Sequence, residues 1–398
     1  MSGKRNVVIG TTLVVALAAL GVTQSVLARK AAAQTNGGVQ APRFEVDPMW
    51  PKPLPNHWLL GNTIGVGVDN QDHVYIIHRG ATLEAKEVYA TENPPASECC
   101  QPAPPVLEFD QEGNLVKAWG GPGEGYDWPG SNHGITPDSK GNLWIGGNGP
   151  DDGQILVFTR EGKFVKQFGF PYASAGSNDD WAFNKVAKIS LDEQANEAYV
   201  ADGYGNHRVA VIDMTSGKIK RYWGAYAHKP DDENLGRYNP SAPPAQQFRN
   251  PVHCAVPSND GLVYVCDRPN DRIQVFTKDG KFQKEVFVAK NTLGDGSVWD
   301  IAFSRDPQQK YFYLADGANE KIRVFDRQSL TELTTFGDGG RYPGAFYAVH
   351  SIATDSKGNI YTTETYRGQR LQKFVYKGLG PVTKKDQGVV WPVKTSTH

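Results

Sequence analysis

The chain has no excess of charge of either sign. Its 398 residues include 42 lysines and arginines and 43 aspartates and glutamates, which gives a formal net charge of −1 at pH 7. Proteins that bind nucleic acids or other polyanions usually carry a surplus of positive charge. The composition therefore predicts no nucleic-acid partner. It is compatible with a small-molecule or peptide substrate and leaves the oligomeric state open.

Cysteine is scarce, with four residues in the whole chain. Disulfide bonds are therefore not the framework of the fold, even in an exported protein. Cys99 and Cys100 are adjacent in a proline-rich loop and could form a vicinal disulfide, whereas Cys254 and Cys266 fall in strand-like runs that predict buried thiols. The spacing lacks two separated pairs, which argues against a four-cysteine metal site.

Long apolar runs are absent apart from one near the N-terminus. Lys4 and Arg5 precede an apolar run from Val7 to Leu20, and small residues follow it at positions 31–33. This order is typical of a secretory signal peptide, and the run is short for a membrane span. We expect residues 1–34 to be a signal peptide, with an uncleaved anchor as the alternative. The mature protein is then expected to be secreted or periplasmic.

Glycine and proline are abundant, with 43 and 26 residues, and aromatic residues make up 11% of the chain. This composition favours a turn-rich β protein. A unit of roughly forty residues, with four short apolar runs separated by turns, recurs along the chain, and such repeats predict four-stranded antiparallel propeller blades. Six copies begin near Asn62, Ser131, Phe183, Phe248, Gly296 and Phe346.

The predicted fold is thus an all-β, six-bladed β-propeller over residues 43–380, followed by a polar tail over residues 381–398. The sixth copy lacks an obvious fourth strand. The segment Arg43–Trp50 ("RFEVDPMW") precedes the first copy and is expected to supply it, which would close the ring and remove an exposed sheet edge. The motifs "ADGYGNHRVAVID" and "DRPNDRIQVF" resemble the Asp-x-x-x-Asn/Asp-x-Arg-Val/Ile signature of NHL repeats.

Histidine recurs at one position of the repeat, near the start of the innermost strand. The residues at this position in blades one to six are Ile64, His133, Ala187, His253, Trp299 and His350. Alternate blades of a six-fold ring are about 120° apart, so three imidazoles are expected to meet on the axis. One such histidine is more often a hydrogen-bonded filler than a ligand. Three neutral histidines with an open position, however, are typical of a catalytic zinc site.

The turns after the second strands should lie on the same face as these histidines, because consecutive antiparallel strands alternate in direction. They contain Arg79, Tyr204, Arg268 and Glu364. An arginine near a tyrosine favours the phenolate, which can act as a general base, and a second arginine can hold a substrate carboxylate. Each residue taken alone is more often an ordinary polar turn residue.

The motifs "VYIIHRG", "NHGITPDSKGNLWI", "YVADGYGNHRV" and "VHSIATDSKGNIY" occur in the order seen in peptidyl-α-hydroxyglycine α-amidating lyases, which the chain resembles over essentially the whole propeller. The resemblance implies cleavage of the N–C bond of a peptidyl-α-hydroxyglycine to an amide and glyoxylate. It also implies zinc on His133, His253 and His350. Tyr204 would then be the base and Arg79 its electrostatic partner.

The same resemblance implies that Arg268 contacts the substrate. Calcium is implied only weakly, because the family's calcium-binding aspartate after the third histidine is replaced here by Ser351, and Ala348 and Val349 replace the preceding Met-Pro. The family's paired cysteines are also absent at the matching spacing.

Two other functions remain open at this stage. The first is a non-catalytic, extracytoplasmic NHL propeller that binds a protein or carbohydrate. The second is a propeller hydrolase of the lactonase type, but such sites resemble calcium sites made of carboxylate and amide oxygens. The imidazoles at the inner positions argue against it.

Overall fold

The computed structural model describes residues 38–392, so the predicted signal peptide (residues 1–34) lies outside the described residues. Six four-stranded antiparallel sheets form the molecule, and their inner strands contact one another in a closed circle. The predicted all-β, six-bladed propeller is confirmed. Between residues 38 and 392 no helix has the length and apolar character needed to cross a membrane.

The strands of each blade run outward from the axis in chain order, except in blade 6. From the innermost to the outermost strand, blade 1 consists of Asn62–Val68, Val74–Arg79, Val106–Phe109 and Leu115–Trp119; blade 2 of Asn132–Pro137, Asn142–Gly147, Gln154–Thr159 and Phe164–Gly169; blade 3 of Val186–Asp192, Glu197–Asp202, Arg208–Asp213 and Ile219–Trp223; blade 4 of Val252–Pro257, Leu262–Asp267, Arg272–Thr277 and Phe282–Phe287; blade 5 of Asp300–Phe303, Tyr311–Asp316, Lys321–Asp326 and Thr331–Phe336; and blade 6 of Val349–Thr354, Ile360–Glu364, Arg370–Pro381 and Gln40–Val46.

The remaining regular elements are short and lie in the connections. They are the parallel pair Trp58–Leu59 and Gln101–Pro102 and the 3-10 turns Gly80–Thr82, Ala85–Glu87, Tyr89–Thr91, Glu193–Ala195, Ala225–Ala227 and Arg268–Asn270.

The second strands are largely buried on both faces because each blade packs between two neighbours. Residues 198–201, for example, are all fully buried. A continuous apolar run of this length is consistent with a strand covered on both sides. Apolar clusters fill the interfaces between the blades; Trp144 and Phe168 of blade 2 pack with Val186 and Ile189 of blade 3 in one of them.

The N-terminal strand closes the ring, as predicted from Arg43–Trp50. It pairs antiparallel with the third strand of blade 6, with Phe44 opposite Tyr376. The Phe44 ring also packs against Tyr313 and Phe336 of blade 5, with ring centroids 5.3 Å apart in both cases. Closure therefore joins the two ends of the propeller by hydrogen bonds and by an aromatic cluster.

The Asp and Arg of the NHL signature form buried ion pairs that bracket the turns carrying the predicted site residues. Arg208 Nε donates to Asp202 at 2.8 Å in blade 3, and Arg272 Nε donates to Asp267 at 2.7 Å in blade 4; all four side chains are fully buried. Each pair joins the end of the second strand to the start of the third. The signature thus holds in place the turn between them, which contains Tyr204 in blade 3 and Arg268 in blade 4.

The expectation of two buried thiols is wrong, because Cys254 and Cys266 form a disulfide. The two residues lie directly opposite each other on the first and second strands of blade 4, with their Cα atoms 4.8 Å apart. Cys99 and Cys100 form the vicinal disulfide considered above. Residues 382–392 run against the outer strands: Val46 N donates to Val390 O at 2.7 Å, and Thr335 N donates to Lys385 O at 2.7 Å.

Candidate functional site

Three histidine side chains meet on the propeller axis. His133, His253 and His350 come from the inner strands of blades 2, 4 and 6, and each is at least 96% buried. Their ring centroids are 4.8 to 5.1 Å apart. One nitrogen from each ring lies within 4.8 Å of the other two, so the cluster could hold a metal ion.

Backbone carbonyls from the three intervening blades, 1, 3 and 5, orient these rings. His133 Nδ1 lies 2.7 Å from Ala187 O, and His350 Nδ1 lies 2.7 Å from Ile64 O. His253 Nδ1 contacts Trp299 O in the same way. A carbonyl only accepts, so each Nδ1 carries the proton and each Nε2 presents a lone pair. A backbone acceptor of this kind is a common support for metal-binding histidines.

Burial keeps the three imidazoles neutral. It is the largest cause that lowers the pKa of His133 and of His253 well below the ordinary value, and the neighbouring charged groups act in the same direction. The pKa of His350 is lowered to about 3, again mainly by burial and next by Arg268. Neutral imidazole is the form that binds metals, so the site needs no deprotonation before binding at neutral pH.

Tyr204 lies over the histidines from the turn after the second strand of blade 3. Its phenol oxygen is 3.1 Å from Nε2 of His133 and 3.1 Å from Nε2 of His253. Asn250 supports the turn by donating from Nδ2 to the Tyr204 backbone carbonyl at 3.1 Å. The structure therefore brings together the predicted base and the predicted ligands, and it adds Asn250, which the sequence did not single out.

Arg268 makes the direct contact with Tyr204. Its Nη1 donates to the phenol oxygen at 3.2 Å, and its guanidinium lies 4.5 Å from the centre of the Trp299 ring. The side chain is 92% buried, and its Nε finds no hydrogen-bond partner among the described residues. A buried guanidinium with a spare donor is suited to a planar anion such as a carboxylate.

Arg79, the predicted electrostatic partner of Tyr204, lies near it but makes its own hydrogen bonds elsewhere. Its Nε donates to Asn132 O at 2.9 Å and its Nη2 donates to Asn148 Oδ1 at 2.7 Å, and within residues 38–392 it makes no hydrogen bond to Tyr204. Burial lowers the pKa of Arg79, and the nearby Tyr204 opposes that shift. Arg79 is thus close enough to act through space, whereas the hydrogen-bonded partner of Tyr204 is Arg268. The difference arises because Asn132 and Asn148 hold the Arg79 guanidinium.

Glu364, the acidic turn residue of blade 6, is engaged within its own sheet. Its carboxylate accepts from Arg370 Nε at 2.6 Å and from Gln372 Nε2 at 2.7 Å. It is fully buried. Glu364 therefore forms an ion pair within its own blade, as Asp202 does in blade 3.

The position that the resemblance associates with calcium contains an ion pair. Ser351 Oγ donates to Asp300 Oδ2 at 2.6 Å, and Lys188 Nζ lies 2.6 Å from Asp300 Oδ1. A calcium ion needs six to eight oxygen ligands. An ammonium group already bound to the carboxylate does not fit that requirement, and no step of the chemistry is assigned to calcium.

A groove of about 800 Å³ opens beside the centre. Arg268 and Asn250 form part of its wall, and the long connection between blades 3 and 4, including Asn234 to Tyr238, forms the outer side. Arg268 therefore borders the groove and also contacts Tyr204, whereas Tyr204 and the three histidines do not themselves line the groove.

The fold and the centre together define a six-bladed, NHL-type β-propeller with a three-histidine site on its axis. No protein-family model matches the chain. It is 26% identical to NHL repeat-containing protein 3 of Mus musculus over 303 residues, which are 74% of this chain and 70% of that protein. It is also 26% identical to the peptidylglycine alpha-amidating monooxygenase of Rattus norvegicus over 246 residues, which are 58% of this chain and 22% of that protein.

The chain thus spans about a fifth of the length of the rat monooxygenase. A solved streptogramin B lyase structure covers 85% of this chain and 98% of its own, with a TM-score of 0.51 at 12% identity, which concerns the fold alone. The chain is related, at low identity, to NHL repeat-containing proteins and to peptidylglycine alpha-amidating monooxygenases, which confirms the predicted resemblance.

Proposed function

We propose that the protein is a metal-dependent carbon–nitrogen lyase that cleaves a peptidyl-α-hydroxyglycine, or a related α-hydroxy-amide, to an amide and glyoxylate. One observation carries the proposal. The phenol oxygen of Tyr204 lies 3.1 Å from Nε2 of two of three buried, neutral, converging histidines. A base beside an open metal site is what removal of a proton from a bound hydroxyl requires.

The donor set fits zinc. Three neutral imidazoles, each fixed by a carbonyl on Nδ1, are a common set of protein ligands for catalytic zinc. His133, His253 and His350 would hold the ion, which when bound would polarise and acidify the substrate hydroxyl.

The chain's own residues account for the proton. Tyr204, as phenolate, takes the proton of the α-hydroxyl group; the carbon–oxygen double bond forms, the C–N bond breaks, and its electron pair goes to nitrogen. The Tyr204 hydroxyl then returns the proton to that nitrogen, so the reaction is balanced without water. Arg268 is placed to hold the carboxylate of the glyoxylate portion while it donates to Tyr204.

We also propose that the protein is secreted or periplasmic and that its partner is a small-molecule or peptide substrate. The N-terminal segment and the two disulfides are consistent with a secreted or periplasmic protein. The groove next to Arg268 offers room for the peptide or acyl part of the substrate.

The test combines metal analysis with product detection. Purified protein should contain one transition-metal ion per chain and should release glyoxylate from an N-acyl-α-hydroxyglycine. His253→Ala should lose both, while His228→Ala, a change at an exposed position, should lose neither. Carefully prepared protein without stoichiometric transition metal would exclude the proposal. If the protein contains the metal but releases no glyoxylate, the metal site would be supported and the proposed substrate class would be rejected.

A second function has one specific observation in its favour. The similarity to NHL repeat-containing protein 3 covers more of the chain than the similarity to the amidating monooxygenase does. A non-catalytic propeller that binds a protein or carbohydrate predicts that His253→Ala leaves function unchanged. Metal content and glyoxylate release in the same preparation distinguish the two.

A further inference from the structure

An ion pair joins the inner strands of blades 3 and 5 next to the three histidines. Lys188 Nζ lies 2.6 Å from Asp300 Oδ1 and 2.8 Å from Asp300 Oδ2. The side chain of Lys188 is 17% exposed and that of Asp300 is 1% exposed. Lys188 lines both the small cavity under the histidines and the wider channel of about 540 Å³ that opens on the opposite face. The pair therefore forms the floor between the candidate centre and that channel.

Residues from three blades form hydrogen bonds or an ion pair with the Asp300 carboxylate. Lys188 approaches it from blade 3, and Ile301 N of its own blade donates to Oδ1 at 2.8 Å. From blade 6, Ser351 Oγ donates to Oδ2 at 2.6 Å and Ile352 N donates to Oδ2 at 3.1 Å. A buried carboxylate needs a compensating positive charge, and the ammonium group of Lys188 supplies it.

The pair also lies one residue away from the ring that orients the histidines. Lys188 follows Ala187, whose carbonyl accepts from His133. Asp300 follows Trp299, whose carbonyl accepts from His253. Since the ion pair fixes neighbouring residues on these two inner strands, it fixes the two carbonyls as well. Groups that support ligands in this way commonly change metal affinity when they are lost.

We infer that the ammonium group of Lys188 occupies the position of a structural divalent cation at the centre of the propeller. By pairing with Asp300 it positions the strands that carry the three histidines. The structural part of this role holds whether or not the centre catalyses the proposed reaction. A calcium ion would require Asp300 to release Lys188 and Ser351 to become a ligand, although Ser351 Oγ donates to Asp300.

Calcium content of the wild-type protein tests the first half of the inference. Protein dialysed against millimolar calcium and then against metal-free buffer should retain no stoichiometric calcium, and added calcium should leave its Tm unchanged. Retention of one calcium ion per chain, or a clear calcium-dependent rise in Tm, would overturn it. The same elemental measurement reports transition metal separately, so a failure of the proposed lyase function is distinguishable.

The Lys188→Met variant tests the second half, because it keeps the length of the side chain and removes the charge. We expect a fall in Tm of more than about 5 °C, since one partner of a buried pair is lost. Affinity for Co²⁺, used as a spectroscopic probe of the histidines, should fall about tenfold. Lys281→Met, at an exposed lysine, should change neither quantity.

The double variant Lys188→Met/Asp300→Asn keeps the inference testable if Lys188→Met fails to fold. It leaves no uncompensated charge, so much of the lost Tm should return. A Lys188→Met protein with the Tm and Co²⁺ affinity of the wild type would refute the role of Lys188. So would a double variant that is less stable than the single one or that, like it, fails to fold.

Discussion

His133 Nδ1 lies 2.7 Å from the carbonyl oxygen of Ala187, the residue at the equivalent position of the next blade. The same relationship links His350 to Ile64, and Trp299 O accepts from His253. The ring of six equivalent positions thus alternates between a histidine and the residue whose carbonyl orients it. A metal site on a propeller axis needs both members of each pair, because the carbonyl decides which nitrogen of the imidazole faces the axis.

The first prediction concerns Gly134, which makes room for this relationship. A Cβ atom added at Gly134 would lie 2.9 Å from Ala187 O, so an alanine there must displace the carbonyl that orients His133. We expect Gly134→Ala to reduce transition-metal affinity about tenfold, as measured by competition with a chelator. Gly339→Ala is the control, because an added Cβ there meets nothing within 4 Å. Equal affinity in the two variants would contradict the supporting role of the carbonyl.

The second prediction concerns the phenol of Tyr204. Tyr204→Phe removes the group proposed to accept and return the proton but none of the three histidines. We expect the loss of a positioned acid–base group to lower kcat/KM for glyoxylate release by about 10²- to 10⁴-fold while metal content stays at one per chain. Tyr366→Phe, in the corresponding turn of blade 6 where the hydroxyl bonds to Asp295 at 2.9 Å, should have a small effect. Undiminished activity in Tyr204→Phe would rule out the proposed base.

The third prediction separates the two arginines. Arg268 donates to the Tyr204 oxygen, whereas Arg79 donates to Asn132 and Asn148. A lysine at position 268 cannot reproduce the fork of donors, so Arg268→Lys should lower kcat/KM about 10- to 100-fold, mostly through a higher KM. Arg79→Lys should cost less. A larger loss in Arg79→Lys, with metal content unchanged, would show that Arg79 affects Tyr204 more than Arg268 does.

Much of the fold and the identity of the centre were predictable, because both follow from local periodicity. Strand and turn chemistry repeat every blade, and a histidine that recurs in alternate blades must meet its copies on the axis of a closed ring. The supporting carbonyls of Ala187 and Ile64 were not predictable in this way, since any residue type carries a backbone oxygen. The side chains of Ala187 and Ile64 therefore give no indication that their carbonyls support a histidine.

Two other features depend on distances that a repeat pattern does not contain. The contact between Arg268 and Tyr204 depends on where a long side chain rests, and here it rests over Trp299. The Cys254–Cys266 disulfide depends on strand register. That register could have been obtained from the turn at Asp260 and Gly261, which places the two cysteines opposite each other across the hairpin.

The fourth prediction concerns the two disulfides, which differ in exposure. Cys254 and Cys266 are fully buried, whereas Cys99 is exposed. A mild thiol reductant therefore reaches only the pair in the loop, because exchange requires access to a sulfur. Thiol labelling after reduction of the native protein should count two groups per chain, and reduction followed by labelling in denaturant should count four. Four labelled groups in the native protein would show that blade 4 opens under these conditions.

The final prediction concerns stability as a function of pH. Asp271 is fully buried, its Oδ1 accepts from Ser297 N at 2.8 Å, and its Oδ2 finds no partner in the described part of the chain. Burial raises the pKa of Asp271 to about 7, against the opposing effect of the hydrogen bonds from Ser297. The folded state therefore binds a proton that the unfolded chain, with a pKa near 4, has already released.

The sign of the effect follows from that difference. The favourable contribution of the protonated group is fully present below pH 4, falls as pH rises, and is lost above pH 7. Asp271→Asn keeps an uncharged acceptor at the position and should raise the free energy of unfolding at pH 8 by about 1–3 kcal/mol, with little change at pH 4. Burial also raises the pKa of Glu320 to about 7, so a smaller slope should remain in the variant.

Urea unfolding at several pH values between 4 and 8 measures both effects, with Glu233→Gln at an exposed position as the control. An Asp271→Asn protein that loses as much stability as the wild type between pH 4 and 7 would show that Asp271 is not the titrating group. In that case the slope would have to come from Glu320 or another buried carboxyl group. Asp271 accepts a hydrogen bond from Ser297, three residues before the inner strand of blade 5, so its titration is expected to affect the segment that leads into that strand.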